Sequence, residues 1–433
     1  MLQAIRRSAS VCMLICLGST VWPKPTLADW PTDPAINLPV CRTSNTQQTP
    51  DIISDMQGGA LIAWRAPSRK QGWAKGVRIV GAHTDSPNLR VKPQAEVTAA
   101  GYTQVGIEVY GGVLNNSWLD RDLAVSGRLT TRSGTHVLVN TGRPIARVAQ
   151  LAIHLDREVN EKGLVLDKQL HLLPFTGLSN NPVGAGSRTS ADDGFVGYVA
   201  RTAGVDPADL AGHDLMFHDT TPPALLGINN EFIASGRLDN LFSCWAAVQS
   251  LVSGSAAPHG QLIALFDHEE VGSSSTTGAA GPLLERALQR VFSGAELSLE
   301  QQAVALALSS CVSSDMAHAV HPNYADRHEP MHRPMPNGGP VIKSNANQRY
   351  ASTTDTAAMF AAACDSVGVP HQVFVSKNSM PCGSTIGPIT ATRLGIDTVD
   401  VGCAMLSMHS ARELCGAADA DLMTRALSAY LAS

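Results

Sequence analysis

The stretch QLIALFDHEE, residues 261–270, sets six mostly apolar residues directly before four polar ones. Three other runs of apolar or small residues have the same form and lead to His83, Asp315 and His409: residues 77–82, 303–312 and 398–402. Continuous apolar runs of this length are typical of strands that are buried on both faces of a parallel sheet. We therefore predict an α/β fold, in which helices sandwich a mixed, largely parallel sheet.

Helical stretches separate these runs, at residues 241–252, 281–292 and 353–367. In open α/β sheets, ligands bind beyond the carboxyl ends of the strands. The polar residues that follow the four runs are therefore expected to share one site.

Residues 93–232 differ from the rest, because short alternating segments such as 104–110 and 136–140 are interrupted by glycine and proline. This pattern indicates a β-rich domain inserted into the α/β domain. The predicted division is an atypical N-terminal segment (1–58, with a polar loop over 41–58), the α/β domain (59–92 and 233–433) and the insertion (93–232).

Composition excludes several classes of partner. The chain has 433 residues, a net charge of -5 and no basic run, which argues against nucleic acid and anionic membrane surfaces. Its nine cysteines form no CxxC pair, so a reducing compartment is the simpler interpretation.

The first 28 residues resemble a secretory signal, since Arg6 and Arg7 precede an apolar run at 11–21 and small residues follow. The run is too short to span a bilayer. The alternative is a misread or degenerate start, and we favour it together with a cytoplasmic location.

His83 and Asp85 form a His-x-Asp pair after a predicted buried strand. The carboxylate is placed to orient the imidazole as a metal ligand. A histidine at a strand end is nevertheless more often an ordinary polar residue, so this pair alone is weak support.

Glu269 and Glu270 are adjacent, and two such carboxylates repel unless a cation or proton neutralises them. One could bind a metal while the other activates water, although a solvated acidic loop is the common alternative. Asp239 and Asp315 could equally be helix caps or turn residues, and His409 a core or surface histidine. Together, two histidines and three carboxylates suit two divalent ions that share one aspartate.

Several longer strings carry a resemblance: HTDSPNLRVKP, SWLDRDL, RLDN, DHEEVGS, SSDMAHAVHPNY, GPVIK, NQRY, MPCGSTIGPI and LSMHSARE. In this order they resemble the M18 metallo-aminopeptidases of the aspartyl aminopeptidase type over residues 59–430. The resemblance implies hydrolysis of N-terminal residues, mainly Asp or Glu, by metal-activated water. It implies two zinc ions per chain, with Mn²⁺ or Co²⁺ as possible substitutes.

The resemblance also implies a role for each site residue. One zinc would be held by His83 and Asp315, the other by Glu270 and His409, with Asp239 between them. Catalysis would involve Glu269 as general base, with Asp85 and His318. Substrate would contact His318, Lys343, Tyr350 and, from a neighbouring subunit, His154. The insertion would assemble the chains into a tetrahedral dodecamer.

Two alternatives stay open. Cys382, in a glycine-rich turn, could be the nucleophile of a thiol hydrolase. The chain could also be an inactive or poorly assembled homologue, because residues 1–55 lack the usual N-terminal helical segment and aromatic-rich strand pair of the M18 proteins.

Overall fold

The computed structural model describes residues 51–54, 59–179 and 194–433. The apolar run at 11–21 lies outside these residues. Within the described ranges, no helix is both long and apolar enough to cross a membrane.

An eight-stranded sheet forms the centre of the α/β part, in the order β1-β2-β13-β3-β14-β18-β16-β17. With strands numbered along the chain, its members are β1 (Asp51–Ser54), β2 (Leu61–Arg65), β3 (Val77–His83), β13 (Gly260–Phe266), β14 (Ser310–Ser314), β16 (Val341–Ser344), β17 (Gln372–Val375) and β18 (Asp397–Gly402).

The four central strands, β13, β3, β14 and β18, are parallel, and antiparallel pairs flank them at β2–β13 and β16–β18. The predicted mixed, largely parallel sheet is thus confirmed. The strand predicted from the run at 303–312 is wrong in part. Its first half belongs to a helix that ends at Ala307, and the strand starts only at Ser310.

Helices cover both faces of this sheet. They are α3 (Leu238–Ser253), α4 (Leu283–Gly294), α5 (Leu299–Ala307), α6 (Thr354–Ser366), α7 (Ile386–Leu394) and α8 (Asp419–Ala432). Alternate residues of a strand point to opposite faces. In β13, Ile263 and Leu265 pack with α3, α6 and α8, whereas Leu262 and Phe266 pack with α4, α5 and α7. Burial on both faces explains why the strand is apolar throughout.

The second large sheet has seven antiparallel strands with its own apolar core. Its strands are β4 (Asn88–Ala99), β5 (Tyr102–Tyr110), β6 (Asp122–Thr131), β7 (His136–Asn140), β8 (Ala146–Arg147), β9 (Phe175–Leu178) and β10 (Leu210–Asp219), accompanied by the short helices α1 (Val159–Lys162) and α2 (Phe195–Thr202). The domain boundaries given above remain a prediction.

A third sheet of five short strands contains β11 (Ala224–Leu226), β12 (Phe232–Ser235), β15 (Ala317–His318), β19 (Ala404–Leu406) and β20 (Glu413–Gly416). It combines two strands that precede α3 with β15 and with two strands near the end of the chain. Consequently β12, which precedes Asp239, pairs directly with β20, which follows His409.

Candidate active site

Three of the central parallel strands end beside the same cleft. His83 is the last residue of β3 and Asp315 follows β14 directly. Glu269 and Glu270 lie in a short turn just after β13, whose last residue Phe266 pairs with His83. The sheet therefore brings together polar groups that are far apart in sequence, at the edge where open α/β sheets bind ligands.

The Asp239 carboxylate lies between two histidines. Its Oδ1 is 3.5 Å from Nε2 of His83, and its Oδ2 is 3.5 Å from Nε2 of His409. A second carboxylate accompanies each ring: Asp315 Oδ1 is 3.4 Å from His83 Nε2, and Glu270 Oε2 is 3.3 Å from His409 Nε2. The arrangement is two histidine–carboxylate pairs on either side of one shared aspartate.

Both imidazole rings are held through Nδ1. His83 Nδ1 is 3.0 Å from the carbonyl oxygen of Asp85, and His409 Nδ1 is 3.0 Å from the carbonyl oxygen of Gly112. A carbonyl oxygen only accepts hydrogen bonds, so each Nδ1 carries a proton and donates it, and Nε2 is the ring atom that faces Asp239. Metal-binding histidines are commonly oriented in this way, by an outer group at the ring nitrogen that does not face the metal.

The donor set fits a metal ion. His83, Asp239 and Glu270 each offer one atom within 4.8 Å of the others. Asp239 Oδ1 and Glu270 Oε1 are buried and have no hydrogen-bond partner among the described residues. Buried carboxylate oxygens are costly without a partner, and a cation in the cleft would satisfy both.

Burial and neighbouring carboxylates raise the pKa values of Glu269 and Glu270. Burial, and then the Asp239 carboxylate, raises the pKa of Glu270 to about 9. Burial raises the pKa of Glu269 to about 7, with the Asp315 carboxylate contributing, although His83 opposes the shift. Bound cations reverse such shifts, because they stabilise the ionised carboxylates.

Asp85 lies behind His83 and outside the cleft. Its Oδ1 accepts a hydrogen bond from the Glu269 N–H (3.0 Å), and its Oδ2 accepts from the Glu270 N–H (3.1 Å) and the Tyr110 hydroxyl (2.8 Å). Its Oδ1 is also 3.4 Å from His83 Nδ1. Asp85 therefore positions three neighbouring site residues, and its predicted catalytic role remains a prediction.

The cleft has a volume of about 420 Å³. Besides the ligand candidates, its walls include His318, Lys343, Tyr350, Phe374, Ser384, Thr385 and Met408. The buried Lys343 places Nζ 3.5 Å from Asp315 Oδ2 and 5.5 Å from the centre of the Tyr350 ring. The single chain thus gathers every predicted substrate contact except His154, which is exposed in the segment between β8 and α1.

The sequence did not indicate Tyr110, Gly112 or Glu413. Gly112 and Glu413 contact ligand candidates directly, and Tyr110 contacts Asp85 behind them. Glu413 stands four residues after His409 in the HSARE string, and that proximity was the only available signal. Tyr110 and Gly112 come from the other large sheet and from the segment after it, so no local pattern connects them with the site.

Histidines and carboxylates gathered at the strand ends of an α/β sheet are the arrangement of a metal-dependent enzyme. The family model described as "Aminopeptidase I zinc metalloprotease (M18)" matches residues 44–431. The chain belongs to this family and is a metallo-aminopeptidase, which removes N-terminal residues from peptides. Cys382 is not among the cleft residues, and the thiol hydrolase alternative is not supported.

Similar proteins agree with this assignment. A probable M18 family aminopeptidase 2 of Streptomyces coelicolor is 51% identical over 380 residues, covering 87% of this chain and 86% of that protein. A chain in the cryo-EM structure of the Ape4 and Nbr1 complex superposes on this chain with a TM-score of 0.80 and is 36% identical to it. The match covers 86% of this chain and 74% of that chain. The S. cerevisiae mApe1 dodecamer gives a TM-score of 0.73 and 27% identity, over 88% and 85%.

Replacing Tyr110 by Phe tests the contact between the second sheet and Asp85. We expect the metal-free protein to lose about 1 to 2 kcal/mol of unfolding free energy, because a buried carboxylate loses one donor. Urea denaturation measures this. Tyr198→Phe is the control, since the Tyr198 hydroxyl accepts an exposed hydrogen bond from Arg143. Equal stability of the two variants would contradict a structural role for the Tyr110–Asp85 bond.

Proposed function

We propose that this aminopeptidase uses two metal ions to remove N-terminal residues, preferentially Asp and Glu. The observation that carries the proposal is the Asp239 carboxylate, which has one histidine–carboxylate pair on each side. One aspartate between two such pairs is the donor arrangement that two ions with a common ligand require.

His83 and Asp315 would hold one ion, Glu270 and His409 the other, and Asp239 both. Nitrogen and oxygen donors suit zinc best, in agreement with the family, and Mn²⁺ or Co²⁺ would also be accepted. When bound, such ions lower the pKa of water and polarise the scissile carbonyl.

Glu269 is the proposed general base. It lines the cleft, and its Oε2 is 4.0 Å from His83 Nε2, farther than either Asp239 or Asp315. The Glu269 carboxylate would take a proton from the attacking water and return it to the leaving amine. His318, in the cleft wall, would donate a hydrogen bond to the oxygen that becomes negative.

Lys343 is the proposed partner of an acidic substrate side chain. Its ammonium group is buried in the cleft wall, where the nearest anion is the Asp315 carboxylate. If Asp315 binds a metal, its negative charge is committed to that ion, and Lys343 can then pair with a substrate carboxylate. A buried ammonium with such a pairing contributes to specificity, because neutral side chains leave it unpaired.

Changing Glu269 to Gln removes the base and keeps the shape of the side chain. We expect two ions per chain to remain while turnover falls by roughly 100-fold or more. Elemental analysis and initial rates on an aminoacyl chromogenic substrate measure the two quantities. Glu300→Gln, at an exposed position of α5, is the control.

Full activity of Glu269→Gln at full metal occupancy would exclude Glu269 as the base. A wild-type chain that holds metal but shows no turnover would instead support the inactive-homologue alternative.

Lys343→Met tests the preference for acidic residues. We expect wild type to cleave Asp and Glu substrates faster than Ala and Leu substrates. In the variant, kcat/KM for the acidic pair should fall by at least about 10-fold relative to the neutral pair, since the cation is lost. Lys162→Met, on the surface of α1, should keep the wild-type ratio. An unchanged ratio in Lys343→Met would refute the assignment.

The proposed active unit is a homo-oligomer in which His154 reaches the cleft of a neighbouring chain. His154 is exposed in the single chain, and the nearby Leu151 and Leu155 are 58% and 75% exposed. Exposed apolar side chains around one position are typical of a subunit contact. The solved S. cerevisiae relative is a dodecamer, which supports a dodecamer here. The tetrahedral form is part of the proposal.

Mixing His154→Ala chains with Glu269→Gln chains tests the shared site. A His154→Ala chain keeps its base and can receive His154 from a Glu269→Gln neighbour. We therefore expect mixed oligomers to be more active than either parent, as measured by hydrolysis rates after subunit exchange. No recovery, with exchange demonstrated by mass spectrometry, would place the active site within one chain.

A further inference from the structure

Glu413 holds the backbones of two metal-ligand candidates at once. It is the first residue of β20 and only 2% exposed. Its Oε1 accepts a hydrogen bond from the His409 N–H at 2.7 Å, and its Oε2 accepts one from the Asp239 N–H at 3.0 Å. One side chain thus connects two ligands that are distant in sequence.

Only a carboxylate of this length can make both contacts. Each partner is an N–H donor, so the side chain must offer two acceptors. Glutamine offers one acceptor and one donor, and its NH₂ group would face one of the two N–H groups.

Both backbones need such support. Asp239 lies in the first turn of α3, where N–H groups have no partner within the helix, and its own φ and ψ are not helical. His409 has φ of +66°, in the left-handed region that a non-glycine residue rarely adopts. Glu413 therefore stabilises ligand positions that local structure does not favour.

The two proposed metal positions depend on this contact to different degrees. His83 ends a buried strand and is oriented by Asp85, and neither group contacts Glu413. His409 lies in a loop, where its N–H donates to Glu413 and its Nδ1 faces Gly112. Replacing Glu413 should therefore weaken the affinity for the ion proposed at Glu270 and His409 more than the affinity for the other ion.

We propose that Glu413 is a positioning residue that fixes the distance between Asp239 and His409 and thereby sets the affinity for the second ion. This inference rests on the proposed two-metal function. It assigns Glu413 no contact with metal or substrate.

Asp419 provides a matched control. It is fully buried at the start of α8, and its two oxygens also accept backbone hydrogen bonds, from Asn337 (2.7 Å) and Gly339 (2.9 Å). Neither partner lines the cleft. Asp419→Asn therefore reproduces the chemical change of Glu413→Gln away from the ligands.

The experiment titrates the metal-free full chain with Zn²⁺ by calorimetry and records the Co²⁺ absorption spectrum. Wild type and Asp419→Asn should bind two ions per chain. Glu413→Gln should bind one ion about 10- to 100-fold more weakly, the usual effect of disturbing an outer-shell partner. The other ion should weaken less, because Asp239 is the only ligand of that ion that Glu413 contacts. The Co²⁺ spectrum of Glu413→Gln should lose the contribution of one site.

Glu413→Asp is the second variant, in case Glu413→Gln does not fold. It keeps the charge but is one methylene shorter, so it too should weaken one ion. Two ions at wild-type affinity in either folded variant would overturn the positioning role. Equal loss of metal in Asp419→Asn would overturn it as well, because general destabilisation would then explain the effect. A wild-type chain with fewer than two ions would contradict the two-metal function itself.

Discussion

The repulsion among Asp239, Glu269, Glu270 and Asp315 is the constraint on which this structure depends. Four carboxylates share a cleft whose burial raises the pKa of Glu270 to about 9. The protein offsets the repulsion with Lys343 beside Asp315 and with the two imidazoles. A cluster of anions held in place without sufficient compensating charge is a cation site, and the zinc chemistry of the family follows from it.

A second layer of carboxylates aligns the cluster from behind. Asp85 and Glu413 both accept hydrogen bonds from the backbones of site residues, Asp85 at Glu269 and Glu270, and Glu413 at Asp239 and His409. Fixing the backbone leaves each side chain free to face the cleft. The same residues also resist movement of the ligands towards more distant, less repulsive positions.

The sequence allowed the central sheet to be predicted because strands buried on both faces leave a continuous apolar signal, as in residues 77–82. Short-range patterns failed elsewhere. Residues 51–54 were taken for part of a loop but pair with β2 as an edge strand, and residues 303–307 are helical. The ligand candidates stood out at strand ends and through family strings. Tyr110 and Glu413 did not, because their importance comes only from contacts between distant segments.

Gly112 shows that the site is built by more than one part of the fold. A side chain there would begin 3.0 Å from His409 Nδ1, so the segment after β5 approaches the ring through bare backbone. Gly112 contacts His409 directly and Tyr110 donates a hydrogen bond to Asp85, so the ligand arrangement depends on the seven-stranded sheet as well as on the central one. Metal affinity would then be linked thermodynamically to the packing of the two sheets against each other. A bound metal ion would strengthen this packing, and its removal would weaken it.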